Sequence, residues 1–388
     1  MADRTNVLMM NDSMNVGGAE RVAVDIANTL DRARFDVTFC STRTGGPLVD
    51  VLADDVDHVS LGRSATWDLR KVATLRSLIR ERGVDLIHSH GRGTMKFVSL
   101  SRALGAIRTP QIFHDHFGWL HVNRSAPLGL RQAIERGVDT YLGVDRRLCT
   151  WVEASTAIDP DHVHLVRSGV DRSRFLGVSP VDLRSAFDIA GDQVVIAMVA
   201  NFRPQKDHPT LFRALATLSD DLRERCTVVV IGSTTADVEY HAGCIAMAEQ
   251  LGVADRLRII GPRDDLPEVL AGADAGIVTS KNETGPLVVL EYMAAGLPFV
   301  ATDTGEITRQ VRDSGVGWTP APRDAHEVGD AIRSLLECSD SERRAIGERG
   351  RRAVEETFDQ QVVTRGIEAI YDETLRRTDS GHRVGKST

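Results

Sequence analysis

A chain of 388 residues exceeds what a single hydrophobic core usually holds and predicts two domains. A formal charge of −8 beside 42% apolar residues argues against a general pull toward nucleic acid or acidic lipid and fits an ordinary globular protein. Residues 1–30 lack a basic start followed by an apolar core, no apolar run approaches the roughly 18 residues of a membrane span, and the five cysteines are scattered, so the expectation is a reduced, cytoplasmic protein without structural zinc.

In chain order, apolar strand candidates alternate with segments of helical period. The first half places strands near Asn6–Met10, Asp36–Cys40, His58–Leu61, Leu86–Ser89, Gln111–His114, Thr140–Val144 and His162–Val166. The second half places them near Val194–Val199, Thr227–Ile231, Arg256–Ile260, Ala275–Val278, Phe299–Ala301 and Gly317–Thr319. Two such series predict an α/β protein with two doubly wound parallel sheets, whose ligands bind at the carboxyl ends of the strands. The turn Ser168-Gly169-Val170-Asp171 and Pro180 punctuate the boundary, giving domains of residues 1–178 and 179–358 with a terminal helix and frayed tail over 359–388.

After the first strand, Gly17-Gly18 precedes a helix, where backbone N–H groups can approach a ligand closely. The spacing is not Gly-x-Gly-x-x-Gly, which lowers a nicotinamide reading. The stretch Trp67–Gly83 interleaves Leu69, Val72, Leu75, Leu78 and Ile79 with Arg70, Lys71, Arg76, Arg80 and Arg82. Such a helix packs its apolar stripe on a sheet or lies on a membrane surface. His88-Ser89-His90 and His114-Asp115-His116 close two strands. Alternating histidines share a strand face and could chelate a metal. Strand-end histidines more often bond neighbours or ligand oxygens, so no metal is expected.

In the second half, Arg203 and Lys206 follow a strand end, where a planar fork and a point charge together suit a diphosphate. The strand Asp274–Val278 then leads through Thr279–Gly285 into an almost wholly apolar helix. Pro286 suits its first position and Thr284 or Gly285 its cap. The N-terminus of that helix, Gly285-Pro286-Leu287, is a ready anion site. Glu283 and Glu291 frame it, eight residues apart, and are expected to serve different parts of one ligand. A lone carboxylate on a buried helix needs a partner, for which a pair of ligand hydroxyls is a candidate.

The run from Glu283 to Glu291, followed by Ala294-Ala295-Gly296-Leu297-Pro298, resembles the donor-site motif of the family 4 retaining glycosyltransferases. The resemblance implies the GT-B fold, two Rossmann-like domains facing a central cleft. It implies a nucleotide-sugar donor held without a metal or other cofactor, and a saccharide, lipid-linked or small-molecule acceptor, as in cell-surface polysaccharide or glycoconjugate synthesis. By resemblance, Glu283 lies beside the donor sugar and Glu291 holds the ribose hydroxyls. His116 takes the place of the family's active-site histidine, with His114 one register away and His90 a wall residue. Gly17 and Gly18 lie by the diphosphate and the acceptor. A lipid-linked acceptor would bring the chain to the inner face of the membrane. No nucleic-acid partner is expected.

The chain departs from the family pattern in places. Asn201 stands where an arginine is usual, five residues before Lys206, which leaves Arg203 to reach the phosphates. Glu306 and Arg309 stand where a second glycine and a downstream glutamate are common, and Ser233 replaces another glycine. These loops border the nucleotide and sugar, so sugar and base cannot be named from them. Asp55-Val56-Asp57 and Asp159-Pro160-Asp161 have the spacing of a metal-holding triplet, but both sit in polar loops ahead of strands. The competing readings are a sugar phosphorylase or nucleotide-sugar epimerase on the same scaffold, and a non-catalytic nucleotide-sugar-binding subunit.

Overall fold

The computed structural model describes residues 4–15, 17–65, 68–116 and 128–384. The chain divides into two units, residues 1–169 with 360–388 and residues 170–359. The first break falls at Gly169/Val170, inside the Ser168–Asp171 turn and ahead of the 178/179 boundary drawn from the sequence. The reason is packing: the Val170 N–H donates to the Phe358 carbonyl at 2.9 Å, and Phe175 is buried in the second unit's core.

The first unit has a seven-stranded parallel sheet in the order β3-β2-β1-β4-β5-β6-β7. Its strands are β1 Thr5–Ser13, β2 Phe35–Thr44, β3 Asp57–Ser60, β4 Leu86–His90, β5 Gln111–Asp115, β6 Thr140–Gly143 and β7 Val163–Leu165. The helix Leu69–Glu81 buries Val72, Leu75, Leu78 and Ile79 beside Leu8, Met10 and Ile87, so all of its apolar stripe but the exposed Leu69 is committed to the core. Trp67 lies outside the described residues. The helix Gln360–Val384 returns to this unit. Its Thr364 hydroxyl meets that of Thr29 at 2.6 Å, Glu368 accepts from the Asp31 N–H at 2.8 Å, and Thr374 meets Thr140 at 2.8 Å.

The second unit has a six-stranded parallel sheet in the order β10-β9-β8-β11-β12-β13. The strands are β8 Val194–Val199, β9 Cys226–Ile231, β10 Leu257–Gly261, β11 Ala275–Val278, β12 Phe299–Ala301 and β13 Gly317–Trp318. The two sheets share one doubly wound order, so each has a crossover point where consecutive connections diverge, β1/β4 in the first and β8/β11 in the second. β8, β9 and β11 are almost wholly buried, because helices cover both faces of a parallel sheet and leave apolar runs rather than alternation. No helix of the described residues is long and apolar enough to cross a membrane.

Candidate functional site

In the second unit, the loops after β8 and β11 leave the sheet at the crossover and are tied together by backbone. The Lys281 N–H donates to the Gln205 carbonyl at 2.8 Å, and the Thr279 hydroxyl donates to the Lys206 and Asp207 carbonyls at 3.3 and 3.1 Å. Asp207 sits in the left-handed region at φ 52° and is buried. Its carboxylate accepts from the Thr210 hydroxyl at 2.7 Å and pairs with Lys281 Nζ at 3.4 Å. Beneath them, the Tyr292 hydroxyl accepts from the Val199 N–H at 3.0 Å and donates to the Ile277 carbonyl at 3.1 Å. A Cβ on Gly276 would lie 2.4 Å from that tyrosine ring, so the strand needs glycine there.

This frame brings Lys206 and Glu283 together, 77 residues apart in sequence. Lys206 Nζ lies 2.7 Å from Glu283 Oε1, and the Ser280 hydroxyl donates to the same oxygen at 3.0 Å. The helix carrying Glu291 spans Leu287–Ala295 and ends on Gly296 at φ 76°. Pro286 is its N-cap rather than its first helical residue, because ψ 94° keeps it outside the helical region. Every residue from Val288 to Ala295 except Glu291 is buried, and Glu291 lies 4.0 Å from Arg174. Arg203 is exposed and makes no ion pair among the described residues; its carbonyl accepts from the Lys206 N–H at 2.9 Å, but its side chain is not joined to the Lys206–Glu283 pair.

A third loop completes the clamp. The Thr302 hydroxyl donates to the Ser280 carbonyl at 2.7 Å, and the Glu306 N–H donates to the Thr284 carbonyl at 2.8 Å. Gly305, at φ 80°, leaves only 2.7 Å between a would-be Cβ and the Thr284 backbone. The two departures at this loop answer one another: Arg309 pairs with Glu306 at 3.0 Å. Asn201 does not act as a cation. Its side-chain oxygen accepts from the Ser233 N–H at 2.7 Å, joining the loops after β8 and β9.

In the first unit, Gly17 caps the helix Gly18–Thr29, with the Glu20 carboxylate folded over it. Asp12, at the end of β1, accepts from Arg63 at 2.7 Å and from the Thr42 and Thr94 hydroxyls at 2.9 Å each. The Arg63 side chain is fully buried and its guanidinium lies 4.9 Å from the Phe97 ring centre. Sequence reasoning missed this junction, as it missed Arg174. An aspartate at a strand end is a faint signal, and Arg174 lies in the irregular boundary segment.

His88 and His90 on β4, His114 on β5 and His116 just past its end form one cluster. His90 Nδ1 lies 3.0 Å from His116 Nε2, and His88 Nδ1 lies 2.5 Å from the Tyr371 hydroxyl. Burial, reinforced by the neighbouring rings, pushes His88 down to about 3 and holds His90 and His114 well below the usual imidazole range. Burial takes His116 to about 4. All four rings are therefore neutral at neutral pH, and His116 acts there as a hydrogen-bonding group rather than a cation.

Comparison with known proteins gives a consistent picture. Residues 16–174 match a family model described as Glycosyltransferase Family 4, and residues 182–353 match one described as Glycosyl transferases group 1. The chain is 32% identical to a D-inositol 3-phosphate glycosyltransferase of Saccharomonospora viridis, over 89% of this chain and 77% of that relative. It is 22% identical to an N-acetyl-alpha-D-glucosaminyl L-malate synthase of Bacillus anthracis, over 95% and 97% of the two chains. Among solved structures, Anabaena HepE in complex with UDP and glucose superposes with a TM-score of 0.79 at 20% identity, covering 95% of this chain and all of that one.

Proposed function

The chain belongs to the family 4 glycosyltransferases of GT-B fold, and from that premise we propose that it moves a sugar from a nucleoside-diphosphate sugar to an acceptor hydroxyl with retention at the anomeric carbon. The observation that carries the reading is the Lys206–Glu283 pair at 2.7 Å, held at the β8/β11 crossover of the second unit. In this reading the second unit binds the donor and the first supplies the acceptor site and His116. The solved relative's UDP and glucose support a nucleotide-sugar donor. The names of the curated relatives, with inositol 3-phosphate and malate, favour a small hydroxylated acceptor over a long glycan.

The mechanism follows from what the residues can do. A diphosphate entering at Lys206 competes with Glu283 for the ammonium and frees the carboxylate to meet the sugar. In this reading Lys206, Arg203 and the backbone N–H groups of Gly285 and Leu287 meet the charge that grows as the C1–oxygen bond breaks. The acceptor hydroxyl attacks C1 from the face the diphosphate leaves, and its proton passes to the departing phosphate oxygen. Glu291 takes the ribose hydroxyls, in place of its 4.0 Å approach to Arg174. Gly17 and Gly18 accommodate diphosphate and acceptor by close backbone approach. His116, neutral, donates or accepts a hydrogen bond without adding charge.

The test is incubation with a panel of nucleotide sugars and small hydroxylated acceptors, with the product's anomeric configuration read by NMR. Retention in a glycosidic product is expected. Inversion would overturn the mechanism, sugar transfer only to inorganic phosphate would favour a phosphorylase, and donor binding without turnover would favour a binding subunit.

A further inference from the structure

We propose that the first unit holds one borderline transition-metal ion, of the Zn²⁺ or Co²⁺ class, between His88, His90 and His114. This reverses the expectation drawn from the strand-end histidines in isolation. The reversal rests on their unpartnered atoms and on what stands behind them.

β4 and β5 run parallel with His90 opposite His114, and histidines two apart on a strand share a face. The rings of His88, His90 and His114 therefore project from one side of the sheet. One ring nitrogen from each of His88, His90 and His114 lies within 4.8 Å of the other two. A tetrahedral site with metal–nitrogen bonds of 2.0–2.1 Å sets such atoms about 3.4 Å apart, so small side-chain rotations close the set. Nε2 of His88, Nε2 of His90 and both nitrogens of His114 are buried with no hydrogen-bond partner. Buried imidazole nitrogens rarely go without one.

The second observation is the supporting arrangement. A ligating imidazole characteristically engages its other nitrogen with a polar neighbour, which fixes tautomer and ring orientation. His88 does so through Nδ1 to the Tyr371 hydroxyl, and His90 through Nδ1 to His116 Nε2. In both cases Nε2 is the atom left over. Three neutral nitrogens without carboxylate or thiolate suit Zn²⁺, Co²⁺, Ni²⁺ or Cu²⁺ and not Mg²⁺ or Ca²⁺, which take oxygen ligands. A solvent molecule completes the coordination. Through His90 the ion also sets the orientation of His116, so metal loading tunes the acceptor unit without touching the diphosphate. The inference concerns the first unit alone and does not depend on the donor chemistry proposed above.

The experiment uses the untagged full chain, stripped with chelator and dialysed. Titration with Co²⁺ is expected to saturate at one equivalent, with visible d–d bands of low-coordinate intensity that Zn²⁺ abolishes, and with a rise in Tm. His114→Ala and His88→Gln should each lose the bands. Tyr371→Phe should weaken binding about 10- to 100-fold, as loss of an outer partner does. His58→Ala, which touches none of these residues, should bind as before. Failure of the folded wild-type chain to take up micromolar Co²⁺ or Zn²⁺ overturns the proposal whatever the variants do. Uptake that survives both ligand substitutions overturns it equally.

Discussion

Acidification should unfold the first unit well before it protonates the carboxylates. Below pH 6.5 the unfolded chain binds a proton at each imidazole that the folded cluster refuses, so stability falls as pH falls. Above 6.5 both states are neutral and the contribution is fully present. With His88 at about 3 in the folded chain against 6.5 unfolded, the loss at pH 5 is about 2 kcal/mol, since each unit of separation is worth ~1.4 kcal/mol. His116, at about 4, adds a comparable amount, somewhat less because its ring is only partly screened from solvent. His90 and His114 shift in the same direction. A loss of about 4 kcal/mol or more is a large part of the 5–15 kcal/mol that a typical domain has. The second unit carries one comparable ring, His208, at about 4. Denaturant unfolding in EDTA between pH 7.5 and 5, with hydrogen exchange to locate the opening, measures the effect. The expected result is an early transition in β4 and β5, with uptake of at least two protons on unfolding at pH 5. A midpoint unchanged between pH 7.5 and 5 would refute the reasoning.

Other consequences follow from the Lys206–Glu283 frame and the first unit's core. Lys206→Met should slow turnover about a hundredfold, the scale of losing one group that stabilises charge in the transition state, with donor affinity changed less. Glu291→Gln should raise the donor KM about tenfold, a loss of ~1.4 kcal/mol of binding, while Glu283→Gln lowers kcat; steady-state kinetics with varied donor separates them. Equal activity in both glutamine variants would contradict the assigned roles. Gly305→Val should abolish donor binding and lower Tm, because its Cβ would meet the Thr284 backbone at 2.7 Å and its φ is 80°. Asp12→Ala should destabilise the first unit by about 3 kcal/mol, read by denaturation, since it strands the buried Arg63 guanidinium.

What the sequence determined by itself is the architecture. All thirteen strand positions were legible, because parallel strands buried on both faces are written as short apolar runs between helical periods. The doubly wound order then places Lys206, Glu283, Gly17 and His116 just past strand ends. Tertiary structure decided what those residues touch. The Lys206–Glu283 pair spans 77 residues and the His88–Tyr371 bond spans 283, and no local pattern specifies which ring or carboxylate meets which. The Glu306–Arg309 pair, three residues apart on one helix, is the contrast: periodicity alone could have found it. The turn Ser168–Asp171 marks the unit boundary in the sequence, but packing decides which unit each of its residues joins. Val170 belongs to the second unit through a hydrogen bond to Phe358, and strand register and long-range packing arise only once the sheets have formed.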